Sequence, residues 1–374
     1  MAIAVRILPI LSVADVPKAD RLSVVRILGF DAVVAKLPDG SHRYAPGDRV
    51  VYIPEGSLIP DALLRELGFW KVDETTGIET GTLSGPRGSV VKPHVMRKQL
   101  TTGIVIDVPP ALSHLPDTTD VSEHFGIREW IPPIAESLLR IAMAFGSTKN
   151  EYVLARLKMH PDFFKPGEEV VVTEKLEGEN LQMTWMAGAR HEGLFADGRI
   201  AATTKGMGLQ GLVFRDVEEA HRVPIIRGME KADLLDRFAF LVRHLGAEDQ
   251  TVRLMSEAVG AGVKKLHYDS PVPTARTLDV FVHGRWLTED ERAAAFLAAG
   301  MERAPVLWRG GFDMEVIEPL REGPTTIGGK HDREGFVITS TGDQAMRLSP
   351  TGDLIRPSLK YHSDRFLRKF GIDD

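Results

Sequence analysis

Three consecutive valines, Val170, Val171 and Val172, run directly into Thr173-Glu174-Lys175-Leu176-Glu177-Gly178-Glu179-Asn180. A β-branched apolar run of this kind reads as a buried strand, so the charged segment must emerge at its end. Lys175 then sits where partial desolvation favours the neutral amine, the form that acts as a nucleophile. The carboxylate of Glu177 suits a ribose hydroxyl or the orientation of that amine, and Gly178 permits close approach to the backbone. A lone K-x-E-G tetrapeptide carries little weight, because most lysines are exposed. Partner motifs farther along the chain decide its meaning.

Five such segments occur downstream. They are Ile200-Ala201-Ala202-Thr203-Thr204-Lys205-Gly206, the run from Leu254 through Glu257 to Val263, Thr277-Leu278-Asp279-Val280-Phe281-Val282, Arg333-Glu334-Gly335-Phe336-Val337-Ile338, and Pro357-Ser358-Leu359-Lys360-Tyr361. Together with the Lys175 segment, this series resembles the motif set of the covalent nucleotidyltransferases, the ATP-dependent DNA and RNA ligases and mRNA capping enzymes, over roughly the last three fifths of the chain. Asn180, where DNA ligases and capping enzymes carry arginine, favours the RNA ligase branch.

The N-terminal part holds short β-rich runs, Leu22–Ile27, Ala32–Ala35, Asp48–Ile53 and Gly103–Ile106, separated by turn signals such as Pro38-Asp39-Gly40 and Pro46-Gly47. This spacing predicts a small barrel. The segment from Gly47 to Pro54 resembles an OB-fold, and an N-terminal OB unit ahead of a ligase domain is the arrangement of the Deinococcus radiodurans type of RNA ligase. The expected fold class is α+β: an OB-fold β-barrel over residues 1–125, a linker with a helix over 126–165, and a mixed α/β nucleotidyltransferase domain over 166–374. Within the linker, Ala135 to Phe145 has helical apolar spacing. Ala232 to Leu245 reads as an amphipathic helix, and Thr288 with Glu291 forms a capping box for a helix that Gly300 stops.

The resemblance implies a set of site residues. Lys175 is the catalytic nucleophile, and Lys360 and Lys205 are the catalytic cations. Glu174, Lys175, Leu176, Glu177, Asn180, Lys205, Glu257, Phe281, Glu334 and Lys360 bind ATP. Glu257 and Glu334 bind Mg2+ or Mn2+. Two departures mark the series: Leu278 precedes Asp279 where the family carries an aromatic that stacks on adenine, leaving Phe281 as the substitute, and Ser358 occupies the first lysine place of the last motif. The implied activity seals 3′-OH and 5′-phosphate RNA ends, including nicks in duplexes, through lysyl-AMP and RNA-adenylate. A DNA ligase, a capping-type enzyme and a catalytically inactive RNA-binding module are the alternatives.

Charge limits how RNA is held. The net charge of −6 over 374 residues argues against whole-surface binding, so local clusters must serve. One comprises Lys92, His94, Arg97 and Lys98; the other comprises Arg356, Lys360, Arg365, Arg368 and Lys369. Lys92, Arg97, Lys98 and Arg356 are the nucleic-acid candidates. The absence of cysteine excludes disulfides and thiolate chemistry. No apolar stretch spans a membrane and the first residues lack a signal-peptide pattern, so a cytoplasmic monomer is expected.

Several motifs are decoys. Gly206-Met207-Gly208-Leu209-Gln210-Gly211 matches G-x-G-x-x-G without a βαβ unit. Gly328-Gly329-Lys330 lacks the spacing of a P-loop. His191, His283 and His331 show no metal-ligand spacing, and Ser256 has no nucleophile-elbow context.

Overall fold

The valine run becomes the centre of a sheet, and the packing on either side of that sheet explains the rest of the C-terminal architecture. The computed structural model describes residues 3–85, 87–131, 133–145, 152–188 and 190–370. In chain order, the strands that matter are β1 (Arg6–Pro9), β2 (Ser12–Asp15), β3 (Leu22–Ile27), β4 (Phe30–Ala35), β5 (Arg49–Pro54), β6 (His94–Met96), β7 (Gln99–Thr101), β8 (Gly103–Asp107), β9 (Ala155–Arg156), β10 (Glu169–Lys175), β11 (Glu179–Trp185), β12 (Ile200–Thr204), β13 (Val252–Val259), β14 (Thr274–Val282), β15 (Arg285–Trp286), β16 (Val306–Gly311), β17 (Gly335–Ser340) and β18 (Ser358–His362). The helices are α1 (Lys205–Leu209), α2 (Pro224–Lys231), α3 (Leu234–His244), α4 (Glu289–Ala298) and α5 (Asp364–Phe370).

Two five-stranded sheets form the C-terminal region, in the orders β9-β18-β17-β10-β16 and β12-β11-β13-β14-β15. Strand periodicity assigns their faces. In the first sheet, Val170, Val172, Phe336, Ile338, Leu359 and Tyr361 point to one side and pack with Phe163, Phe164, Phe312 and Ile317. Thr173, Lys175, Val337 and Lys360 therefore share the other side, as the register Thr173↔Val337↔Lys360 and Lys175↔Gly335↔His362 requires. The second sheet lays Leu181, Met183, Leu254 and Val280 onto α2 and α3 through Ile226, Met229, Phe238 and Leu241.

α3 matches the helix read from the sequence, and α4 opens on the predicted capping box, with Thr288 Oγ1 and the Glu291 side chain bonded reciprocally across the first turn. The linking helix does not match. Of Ala135 to Phe145, helix covers Glu136–Leu139 alone, and Ala142–Ala144 pairs as a strand with Leu212–Phe214. Ile141 is buried in the second sheet's core, with Ile134 and Leu138 packed against it, so tertiary pairing overrides the helical spacing.

The N-terminal strands fall close to the predicted runs, yet the described residues form no closed barrel. They make two three-stranded sheets, β1-β5-β8 and β2-β3-β4, and a hairpin of β6 and β7. β5 explains the openness. Val51 and Ile53 feed one core with Leu63 and Leu64, while Val50 and Tyr52 feed a second with Val25, Ile27 and Phe30. A strand buried on both faces lies between layers instead of lining a lumen. Among the described residues no helix is long and apolar enough to cross a membrane.

Phe336 has no exposed surface. Phe336→Ala should lower unfolding free energy by about 3–5 kcal/mol in chemical denaturation; a loss below about 1 kcal/mol would mean that this face is not a tightly packed core.

Candidate active site

One face of the first sheet and strands β13 and β14 of the second line a common cleft. Lys175 reaches it from the last position of β10. Glu257 reaches it from β13, Thr277 and Leu278 from β14, and Val337 from β17, with Arg303 and Tyr152 closing its inner part. Its lining mixes apolar side chains such as Leu176, Leu278 and Val337 with convergent charged and hydroxyl groups, the combination that fixes a small ligand's orientation.

Lys175 Nζ donates to Glu334 Oε1 at 2.5 Å. Glu334 is buried, 3% exposed, and the pair lies where Lys175 stands opposite Gly335 in antiparallel register. Gly335 has φ +145°, and a Cβ there would meet the Tyr361 carbonyl oxygen at 2.1 Å. The glycine thus permits the strand contact that holds Glu334 beside the amine. His362 Nε2 lies 3.9 Å from the same Oε1 on the far side.

Glu257 faces the cleft from the second sheet, paired in register with Asn180 of β11. Asn180 Nδ2 donates to the Ser256 carbonyl at 3.4 Å. Glu257 is half-buried. Burial pushes its carboxyl up to about 8, with Glu334 and Glu179 adding to the rise and Lys175 and Lys264 opposing it.

Other predicted residues have different surroundings. Glu174 also lines the cleft, and its carboxylate accepts from Thr325 Oγ1 at 2.5 Å, Thr326 N at 2.8 Å and Thr326 Oγ1 at 2.6 Å. Glu177 does not line the cleft: its Oε2 accepts from Leu266 N at 2.9 Å and its own N–H donates to the Tyr268 hydroxyl at 2.6 Å. Leu176 lines the cleft and packs in a small core with Leu100, Leu266 and Phe366. The close approach served by Gly178 is to the neighbouring strand, since a Cβ there would meet the Ala258 oxygen at 2.1 Å and Glu257 Cγ at 2.8 Å.

Lys205 is exposed at the first position of α1 and is not among the cleft-lining residues. Phe281 is not among them either. Its ring packs edge-on against Trp286 at 5.3 Å, with the Arg253 guanidinium 5.6 Å away, whereas Leu278 enters the cleft. A bulge between Met255 and Ser256 shifts the register beside Leu278, and sequence alternation cannot reveal it. Lys360 shares the sheet face of Lys175, one strand removed, and lines a smaller neighbouring cleft of about 280 Å³ with Arg156, Lys158 and His362.

The nucleic-acid candidates separate. Arg97 and Lys98 are exposed at a hairpin tip, and Lys92 lies 5.2 Å from the Trp130 ring centre. Arg356 is a correction. It is 7% exposed, 2.6 Å from Asp279 Oδ2 and 4.3 Å from the Trp286 ring centre, so it compensates a buried carboxylate and offers no charge to phosphates. The fully buried Asp279, with Arg292 as its second cation at 3.3 Å, was the missed signal. A strand aspartate inside a core demands cations, and these are the cations it takes.

The donor set tests the fit of a divalent ion. Among the described residues no group of three or more His, Cys, Asp or Glu side chains gathers around one point. Glu257 and Glu334 supply carboxylate oxygen beside Lys175. That set fits Mg2+ or Mn2+, which is bound through one or two carboxylates together with substrate phosphates, and does not fit a closed protein cage.

Comparison with known proteins gives a consistent family and fold. A family model described as RNA ligase matches residues 168–362, just over half of the chain. No curated protein sequence matches. Among solved structures, the Naegleria gruberi RNA ligase with PPi is similar, with a TM-score of 0.70 and 18% identity over 98% of each chain. A lysine-to-methionine mutant of that ligase with AMP and Mn gives a TM-score of 0.71 at 18% identity over 98% of this chain and 99% of the other. A lysine-to-alanine mutant with ATP and Mn gives 0.70 at 18% identity over 99% of each.

The raised Glu257 carboxyl has a thermodynamic consequence. The folded protein keeps a proton that the unfolded chain releases above its ordinary 4.5, so this group removes stability as pH rises from there to about 8. Glu257→Gln should therefore melt at a higher temperature than wild type above about pH 8 and at the same temperature near about pH 4. Equal melting of the two proteins at both ends would show that the carboxyl is not held protonated.

Proposed function

Because the chain belongs to the RNA ligase family, we propose that it is an ATP-dependent RNA ligase in which Lys175 captures AMP. The observation that carries this reading is the strand-end amine, inside a cleft, held by a buried carboxylate and faced by a second one. Solved forms of the Naegleria ligase hold ATP with Mn, AMP with Mn, and PPi. By that likeness, ATP and a divalent ion are assigned to this chain.

In the first step the Lys175 nitrogen attacks the α-phosphorus of ATP. A P–N bond forms, the bond to pyrophosphate breaks, and the amine proton leaves. In the second, an oxygen of an RNA 5′-phosphate attacks the same phosphorus and the lysine is released. In the third, a 3′-hydroxyl attacks the 5′-phosphorus and AMP departs. Lysine serves because a phosphoramide is reactive enough to pass AMP onward.

Each step concentrates negative charge on phosphate oxygens, so positioned cations dominate catalysis. Lys360 is assigned that role on the strength of its position on the Lys175 face, and Lys205 is retained as a cation that would have to act through the substrate from outside the cleft. Glu257 and Glu334 would hold the divalent ion, which supplies charge neutralisation at the phosphates and favours the neutral amine by repelling its ammonium. Glu334 restrains Lys175 until that pairing is relieved. Asn180 stands beside Glu257 at the cleft, and Leu278 with Val337 offers apolar walls for a base in place of Phe281. Thr325 and Thr326 hold Glu174, which precedes the nucleophile.

The substrate is read as an RNA 3′-OH and 5′-phosphate pair at a nick in a duplex, with ribose required on the 3′-OH side, as in ligases of the Deinococcus radiodurans type. Residues 1–125 are assigned as the OB-type substrate-holding unit, residues 126–165 as the linker and 166–374 as the adenylyltransferase unit. A cytoplasmic monomer suits that role.

Incubation with α-labelled ATP and Mn2+, then denaturing electrophoresis, should give a labelled band in wild type, little with α-labelled GTP, and none with Lys175→Ala. Preference for GTP would move the protein to the capping class. An unlabelled wild type across several metals and pH values would support an inert binding module. Sealing of all-DNA nicks as fast as RNA-containing ones would remove the RNA assignment.

A further inference from the structure

We infer that the β6–β7 hairpin, the loop at Lys265 and α5 form one continuous basic tract that grips the phosphate backbone of the RNA substrate beside the adenylate cleft. The inference rests on the ligase reading above and identifies how that site would hold its RNA.

The three segments are far apart in sequence and join in space. β6 packs against α5. Leu100 of β7, Leu266, and Phe366 and Leu367 of α5 share one apolar cluster with Leu176, the residue directly after the nucleophile. Lys265 Nζ donates to the carbonyl of Phe370, at the end of α5, at 3.3 Å. The tract is therefore anchored on the same small core as the exit of the Lys175 strand.

Its charges face outward. Phe366 and Leu367 turn inward, which leaves Arg365, Arg368 and Lys369 on one exposed face at helical spacing. Arg97, Lys98 and Lys265 are exposed as well. Of the nearby acids, Asp364 pairs with Lys158 at 3.0 Å and Arg321 at 2.9 Å, while Glu322 accepts from Ser363 Oγ at 2.6 Å and Asp364 N at 2.9 Å and lies 4.0 Å from Arg365 Nε. Among the described residues Arg97, Lys98, Lys265, Arg368 and Lys369 form no ion pair with a carboxylate, while Lys264 lies 3.4 Å from Glu179 and is left out of the tract. In a chain of net charge −6, such a concentration is a local anion-binding surface.

The hairpin adds a backbone argument. Arg97 and Lys98 are its two turn residues, with φ +50° and +71°. A two-residue turn with both φ positive favours Asn-Gly, and two adjacent cations there are unfavourable both sterically and electrostatically. Strain of this kind accompanies functional surfaces. The partner that fits is a polyanion read through its backbone, without base contacts.

The test uses a labelled nicked RNA duplex, with anisotropy titrations over a range of KCl concentrations. The first variant replaces Arg97-Lys98 by Asn-Gly, which suits the turn, and the second is Arg368→Ser with Lys369→Ser. Each should weaken binding about tenfold and lower the slope of log affinity against log salt by about 1–2, equally for duplexes of different sequence. Covalent labelling by α-labelled ATP should stay at the wild-type level in both, which separates this proposal from the ligase reading itself. Unchanged affinity and slope in both variants, with labelling intact, would overturn the tract. So would a loss confined to one RNA sequence.

Discussion

The contact between Lys175 and Glu334 depends on nearly every other feature of the C-terminal region. It exists because β10 and β17 run antiparallel with Lys175 opposite Gly335, and because Gly335 lets β18 approach. That register in turn depends on the apolar face beneath it, since a shift of one residue would exchange Phe336 and Ile338 for Val337 and Thr339 in the core. The placement of Lys175 against Glu334 is thus a by-product of strand alternation. The second sheet contributes Glu257 by the same logic, with Gly178 allowing β13 to come close enough.

Sequence made some of this legible and hid the rest for identifiable reasons. The valine run and its charged end translate directly into β10, because β-branched runs and strand ends are local properties. The capping box at Thr288 is equally local and forms as read. The fates of charged residues are not local. Arg356 reads as a surface cation until Asp279, 77 positions earlier, is seen to be buried against it. Glu177 reads as a ligand-binding carboxylate, yet Leu266 claims it across the fold. Phe281 and Leu278 exchange expected roles through a bulge whose only trace is a register shift on the neighbouring strand. Tyr152 and Arg303 line the cleft from segments that carry no motif. Among the described residues no closed barrel forms, because whether β5 is buried on one face or two is decided by layers that its own alternation does not specify.

Besides the apolar cluster that Leu100 shares with Leu266 and Phe366, the two halves of the chain meet through polar contacts. Arg6 is 2.5 Å from Asp353, Arg156 is 2.5 Å from Glu55, and the Gly29 N–H donates to the Lys158 carbonyl at 2.9 Å. Arg156 and Lys158 also line the cleft that holds Lys360. The N-terminal sheets are therefore fixed next to Lys360. The proposed contact of the basic hairpin with the substrate of Lys175 then needs no separate tether.

The central claim is that one named nitrogen becomes covalently bound to AMP. Mass-spectrometric mapping of peptides from protein incubated with ATP and Mn2+ tests it most directly. The account predicts adenylate mass on the peptide containing Lys175 and on no other. Adenylate found on Lys205 or Lys360, with Lys175 unmodified, would contradict it.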